Sequence, residues 1–140
     1  MKHIIFILAI IGISCNTAKL NRQSVPANFK GSFIDDYGIA YTINDSFFIQ
    51  HPKIKYRILQ WNAAGRFIIA QNDTANPSDK NLHTRIDYLL FENMQPFTWG
   101  FCYTAYNATS AKAAIRTASA DRNNPKKGCN GYPFSRLKPQ

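Results

Sequence analysis

The chain has 140 residues, which is enough for one hydrophobic core and too few for two. With 45% hydrophobic and 18% charged residues and a mean hydropathy of −0.30, the composition argues against disorder and against a polytopic membrane protein. The high aromatic fraction, 14%, favours β-structure, and the formal net charge is +9.

The first fourteen residues have the layout of a secretory signal peptide. Lys2 and His3 form a basic start, and an apolar run follows over residues 4–13. A membrane-spanning helix needs about 20 apolar residues, so this run is too short to remain as an anchor. We therefore expect residues 1–14 to be removed on export.

Cys15 is the predicted attachment point. Gly12-Ile13-Ser14-Cys15 resembles a bacterial lipoprotein cleavage site, where the chain is cut before Cys and the thiol receives a diacylglycerol. Leu is more usual at the position of Gly12. We expect lipidation of Cys15, with plain secretion as the alternative, and a polar tether that extends to residue 28.

Two cysteines remain once Cys15 is acylated. Cys102 and Cys129 form an even pair in a chain predicted to leave the cytoplasm, so we expect a disulfide between them. Such a bond would stabilise the fold by about 3–4 kcal/mol in the chain-entropy model. The alternative is that Cys102 is a nucleophile or a ligand.

From Phe29 onward the chain alternates between short apolar segments and turns, which indicates one domain over residues 29–140. Strands are predicted at 29–34, 39–43, 47–49, 54–58, 66–71 and 84–92, and a further strand carries an alternating aromatic stripe. That stripe consists of Phe97, Trp99, Phe101 and Tyr103, and it places Cys102 on the opposite face.

The character of the chain changes after Tyr106. Thr109 or Ser110 is a predicted cap for a helix over residues 111–120, a basic loop follows, and residues 131–134 are predicted to close the domain as an edge strand. The predicted fold is mostly β: a small antiparallel barrel or a sandwich of about seven strands, with one short helix near the C-terminus.

Several segments resemble an uncharacterised group of small exported proteins and lipoproteins of Gram-negative bacteria. The two most specific are Phe101-Cys-Tyr-Thr-Ala-Tyr106 and Gly128-Cys-Asn-Gly-Tyr-Pro-Phe134. The resemblance implies export, and it carries no implication about an enzyme activity, a ligand or a cofactor.

Positive charge is concentrated near the C-terminus, where seven basic residues face Asp121 alone: Lys112, Arg116, Arg122, Lys126, Lys127, Arg136 and Lys138. We interpret this pattern as a solvated face, and association with anionic lipid or acidic glycan is the alternative. Nucleic-acid binding is not predicted, because it also needs exposed aromatic residues beside the basic ones.

Five residues are candidates for a ligand site. Arg85 and Asp87 lie two apart on one face of a predicted strand, where they could orient a substrate or form a surface ion pair. Trp61, Trp99 and Tyr103 either line a ligand cavity or fill the core, which is the default in a small barrel.

Metal and cofactor sites are not predicted. The polar loop 72–79 is rich in oxygen ligands but matches no calcium-loop spacing. His51 and His83 are the only histidines after the signal, and HExxH, CxxC and GxSxG motifs are absent from the sequence.

The sequence thus predicts a lipid-anchored binding or structural protein of the cell envelope, facing the periplasm or the cell surface, with no evident catalytic centre. Its expected partners are envelope glycan, another envelope protein or a small ligand. One alternative is a hydrolase of envelope polymer that uses Asp35, Asp36, Asp73 or Asp87. The other is an inhibitor or immunity protein, which predicts a flat, exposed apolar patch.

Overall fold

A computed structural model describes residues 23–140. The predicted signal peptide, Cys15 and the first part of the predicted tether lie outside the described residues. None of the helices within residues 23–140 combines the length and the apolar character needed to cross a bilayer.

Eight antiparallel strands form a closed barrel in which each strand pairs with its neighbours in sequence. The strands are β1 (Gly31–Asp35), β2 (Ala40–Ile43), β3 (Phe47–Gln50), β4 (Ile54–Asn62), β5 (Phe67–Asn72), β6 (His83–Leu90), β7 (Trp99–Ala108) and β8 (Ser135–Pro139). The mostly β prediction is confirmed, and of its two architectures the barrel is the one observed. The barrel has eight strands, where the sequence predicted about seven.

Strand β8 closes the barrel by pairing with both β1 and β7. The predicted edge strand over residues 131–134 is wrong in place and in kind, because the closing strand lies later and both of its sides are paired. Leu137 is its only buried residue, so the strand has little apolar pattern. The apolar signal came from Phe134, which is buried outside the barrel wall.

The helix α1 (Ala111–Arg116) lies between β7 and β8 and is shorter than the predicted 111–120. Ser110 caps it as predicted, since its Oγ accepts a hydrogen bond of 3.0 Å from the Ala113 backbone N–H. The helix ends at Thr117, which has an extended backbone with ψ of 140°. Residues 117–134 then cross the outside of the barrel, and we call them the C-terminal segment.

Large aromatic side chains fill the barrel interior. At one end, the Phe29 ring from a 3-10 turn (Ala27–Phe29) lies 4.9 Å from Trp61, 4.8 Å from Tyr88 and 5.0 Å from Trp99, measured between ring centroids. Val25 is 2% exposed in the same core, so packing begins within the predicted tether, before Phe29. We call this end proximal and the other end distal.

A second, smaller apolar cluster lies outside the barrel wall. Leu89 and Cys102 face outward from β6 and β7 and are covered by Ala120 and Phe134. The predicted disulfide is confirmed: Cys102 and Cys129 are bonded, with their Cα atoms 5.5 Å apart. This bond fixes the C-terminal segment to β7.

Phe29→Ala should lower the free energy of unfolding by about 3–5 kcal/mol, because it opens a cavity among three large rings at the proximal end. Urea denaturation monitored by tryptophan fluorescence would measure this change. Tyr37→Ala is the control, since Tyr37 is 68% exposed and its loss should cost no more than about 0.5 kcal/mol. Equal stability of the two variants would contradict the packing role of Phe29.

Candidate functional site

The five candidate residues lie in three different environments. Trp61 and Trp99 are inside the barrel, Arg85 and Asp87 are on the outer side of β6, and Tyr103 is half-buried at a gap in the wall. The structure therefore does not combine them into one pocket.

The two tryptophans belong to the packed core. Trp61 is 0% and Trp99 1% exposed, and both contact the Phe29 ring. The Trp61 Nε1 donates a hydrogen bond of 3.1 Å to the Tyr88 hydroxyl, whose own pKa is raised by burial. Because rings occupy the proximal half of the barrel, these tryptophans support the fold and do not line a ligand cavity.

Arg85 and Asp87 form a buried ion pair beneath the C-terminal segment. They lie on one face of β6, opposite Ile86 and Tyr88, as the sequence predicted. The Arg85 Nε and Nη2 donate to the two carboxylate oxygens of Asp87, each over 3.1 Å, and Asp87 is 0% exposed. The guanidinium also stacks on the Phe67 ring, with its carbon 4.2 Å from the ring centroid.

A second arginine, Arg122, also binds Asp87, although it lies 35 residues later in the chain. The Arg122 Nη2 donates to Asp87 Oδ1 over 2.7 Å, and its Nε donates to the Tyr88 carbonyl over 2.9 Å. The Thr104 hydroxyl donates to Asp87 Oδ2 over 2.7 Å. With its oxygens bonded and no exposed surface, Asp87 fastens the C-terminal segment to the barrel and offers no open face to a substrate.

The C-terminal segment is also tightly folded on itself. The Asp121 N–H donates to the Gly128 carbonyl over 2.9 Å, and the Gly128 N–H donates to the Asn124 carbonyl. A Cβ at position 128 would overlap the carbonyl oxygen of Asp121, so only glycine fits there. This tight loop sets the position of Cys129 at the disulfide.

The other carboxylates proposed for a hydrolase have separate local partners. Asp35 is 4% exposed and accepts hydrogen bonds from the Tyr41 hydroxyl and from the backbone N–H groups of Tyr37 and Ile39. Asp36 pairs with Arg136 over 2.7 Å. Asp73 caps its own turn by accepting from the Ala75 N–H. Asp36 and Asp73 line different surface grooves, and Asp35 and Asp87 are buried.

The gap at Tyr103 opens into a surface groove of about 440 Å³. It forms because β8 pairs with β7 only as far as Phe101, while β7 continues to Ala108. A turn that pairs Cys129 with Tyr132 lies beside the unpaired part of β7. We call this the tyrosine groove; its lining residues are Phe101, Cys102, Tyr103, Tyr106, Cys129, Asn130, Tyr132 and Ser135.

The tyrosine groove is aromatic and uncharged. Tyr106 is 55% and Tyr132 73% exposed, and no acidic or basic side chain is among the lining residues. The Tyr103 hydroxyl donates to Gln50 Oε1 over 3.1 Å, and burial together with the nearby Tyr56 raises the pKa of Tyr103 well above its usual range. The Tyr103 ring lies against Phe101 and Tyr56 in the barrel core. The rim of the groove presents the two exposed aromatic faces.

A second groove, of about 500 Å³, runs along the outer wall on the other side of the C-terminal segment. It contains the exposed apolar side chains of Tyr37 and Met94 together with Lys126. Arg136 lies in it but is bonded to Asp36, and its guanidinium carbon lies 4.6 Å from the centroid of the Phe97 ring. We call this the wall groove.

The structure offers no metal site in residues 23–140, where no three His, Cys, Asp or Glu side chains are grouped closely enough to hold an ion. In the oxygen-rich loop, Asn76 exchanges two hydrogen bonds with the backbone of Lys55, of 2.8 and 2.9 Å. The Asn72 side-chain amide donates to the Asp79 and Tyr106 carbonyls. These polar groups close the distal end of the barrel.

No protein-family model, no curated protein and no solved structure matches this chain. The resemblance to exported proteins of Gram-negative bacteria therefore stays a prediction.

Asp87→Ala should lower the free energy of unfolding by about 3–5 kcal/mol, because it leaves the guanidiniums of Arg85 and Arg122 without their counter-charge. Lys30→Ala is the control: it breaks the exposed ion pair with Asp45 and should cost no more than about 1 kcal/mol. Chemical denaturation measures both variants. A similar small loss in both would show that Asp87 does not hold the segment.

His83 should make stability depend on pH. Burial, with Arg57 as a smaller cause, lowers its pKa below the ordinary histidine value of about 6.5. The unfolded chain therefore binds a proton first as the pH falls, so the free energy of unfolding should decrease from about pH 7 to about pH 5.

His83→Gln should flatten this decrease, as measured by urea denaturation at several pH values. His51→Gln, at an exposed position, is the matched control and should leave the contribution of His83 in place. An unchanged slope in His83→Gln would contradict the assignment.

Proposed function

We propose that this protein is a lipid-anchored component of the cell envelope that binds neutral glycan in the tyrosine groove. The observation that carries the proposal is the pair of exposed rings, Tyr106 and Tyr132, at the rim of an uncharged groove. The anchor and the location rest on the predicted signal peptide and on the lipoprotein-like segment ending at Cys15.

The disulfide supports export. Bonds of this kind form and persist in oxidising compartments, and the Cys102–Cys129 bond joins two parts of the fold separated by 27 positions. A protein exposed to the envelope also needs a fold that resists opening. The covalent link between β7 and the C-terminal segment meets that need.

The chemistry of the groove suits a saccharide. A sugar ring has an apolar face of C–H groups and an edge of hydroxyls, and tyrosine presents an apolar ring that carries a polar hydroxyl. Binding sites of this kind combine apolar surface with a few fixed polar groups, which here are Asn130 and the tyrosine hydroxyls. The lack of charged lining residues favours a neutral ligand over an anionic one.

The groove is also held rigid before any ligand binds. One wall is β7, and the other is the turn at Cys129–Tyr132, which the disulfide attaches to β7. The Asn130 side chain donates to the Tyr103 carbonyl over 3.2 Å and bridges the two walls. A preformed site loses less conformational entropy on binding, so a few contacts are enough for useful affinity.

A second candidate function is binding of a partner protein in the wall groove. Tyr37 is 68% and Met94 36% exposed, and both lie beside the partly buried Phe91. An exposed apolar surface is what an inhibitor or immunity protein would present. In that case, the partner would be recovered in stoichiometric amount and the tyrosine groove would not contribute.

The test is co-sedimentation of the protein with insoluble, uncharged envelope polysaccharide. Tyr106→Ala and Tyr132→Ala should each weaken binding about tenfold, because each removes a stacking face. Tyr37→Ala is the matched control, an exposed tyrosine outside the tyrosine groove, and it should bind like the wild type.

Loss of binding in all three variants would place the contact elsewhere on the surface and contradict the proposal. Binding equal to that of the wild type in all three variants would also contradict the proposal. Sensitivity to Tyr37→Ala alone would favour the wall groove and the protein partner.

A further inference from the structure

We infer that the proximal end of the barrel rests on the bilayer that holds the lipid anchor, through the side chains of Leu90 and Met94. This inference depends on the proposed lipidation of Cys15. The inference identifies the surface that faces the membrane, and therefore the surface that remains accessible to the ligand.

The length of the tether restricts the barrel to the membrane surface. Eight residue steps separate Cys15 from Gln23, and a fully extended chain spans about 3.3–3.6 Å per residue, so the reach is at most about 29 Å. This is roughly the length of the ten-residue strand β7 at about 3.4 Å per residue. The barrel therefore cannot move away from the bilayer by more than about its own length.

The chain joins the barrel at the proximal end. Gln23 lies in a shallow depression with Gln60, Trp61 and Asn62, at the turn between β4 and β5. Phe29 then fills the barrel opening at the same end. Since the tether starts there, the proximal end is the part of the barrel that the anchor holds nearest to the lipid.

Two large apolar side chains are exposed at this end. Leu90 is the last residue of β6 and pairs with Trp99 at the rim, yet it is 54% exposed. Met94 lies in the β6–β7 connection and is 36% exposed. Both belong to the same short stretch of chain, and the hydrocarbon border of a bilayer is the apolar phase within reach of the tether.

The charges around these residues permit contact with lipid. Lys30 is paired with Asp45, and Lys138 lies beside the Phe97 ring. Arg66 and Glu92 are both exposed at this end. The proximal end therefore has no excess of acidic groups that anionic headgroups would repel.

This orientation turns the tyrosine groove toward the envelope polymer. Tyr106 lies near the distal end of β7, whereas Trp99 begins the same strand at the proximal end. With the proximal end on the membrane, the exposed rings of Tyr106 and Tyr132 face away from it.

The test uses the full lipidated protein in phosphatidylcholine vesicles whose acyl chains are brominated, because bromine quenches nearby tryptophan. Trp61 and Trp99 are buried at the same end. Their contribution is subtracted by measuring the wild-type protein in the same brominated and unbrominated vesicles. Leu90→Trp should lose about half of its added emission relative to unbrominated vesicles, a twofold change expected for a ring at the lipid boundary. Tyr132→Trp is the control, and its emission should be unaffected.

Vesicle flotation of the same samples separates this inference from the proposed function. If the protein floats but neither Leu90→Trp nor Met94→Trp is quenched, the orientation is overturned and the anchor is retained. If Tyr132→Trp is quenched instead, the barrel lies the other way round. If the wild-type protein does not float, the anchor is rejected and the orientation with it.

Discussion

The buried carboxylate of Asp87 is the constraint on which the outer half of this structure depends. A charge with no contact with water is stable only when opposite charges and hydrogen bonds surround it. Arg85 and Arg122 supply these from β6 and from the C-terminal segment. Their simultaneous contact requires the chain to cross the barrel wall after α1, and that path leads it to β8.

The molecule thus has two packed regions with different chemistry. The interior is filled with aromatic and aliphatic side chains and is closed at one end by Phe29. The outer region combines the small apolar cluster around Phe134 with the Asp87 network and the disulfide. The tyrosine groove lies at the border between them, so its shape depends on both regions being correctly folded.

Local patterns in the sequence were sufficient for most of the barrel. Alternation with a period of two identified the strands, and the even pair of cysteines identified the disulfide. The closing strand was misplaced because Leu137 is its only buried side chain and the basic residues around it resemble a solvated tail. The helix was predicted too long because alanine-rich sequence continues after Thr117, where tertiary contacts draw the backbone into an extended path.

The candidate site was harder to predict, because its residues come together only when the C-terminal segment packs against β7. Tyr103 was found through the aromatic stripe, and the predicted disulfide placed the chain near Cys129 beside it, but no pattern marked Tyr132 as a groove residue. Likewise, Arg122 lies in a loop rich in Asn and Lys, and its partner Asp87 is 35 positions away. Contacts between residues so far apart in the chain depend on how the strands are connected. The spacing of residues in the sequence does not reveal these connections.

The position of β8 along the chain has a consequence for the order of folding. Both β1 and β7 keep a row of unsatisfied backbone groups until residues 135–139 arrive between them. Until those residues are in place the chain has two unpaired strand edges, and the barrel closes only when Pro139 pairs with β1. During that interval, either edge is open to pairing with another chain.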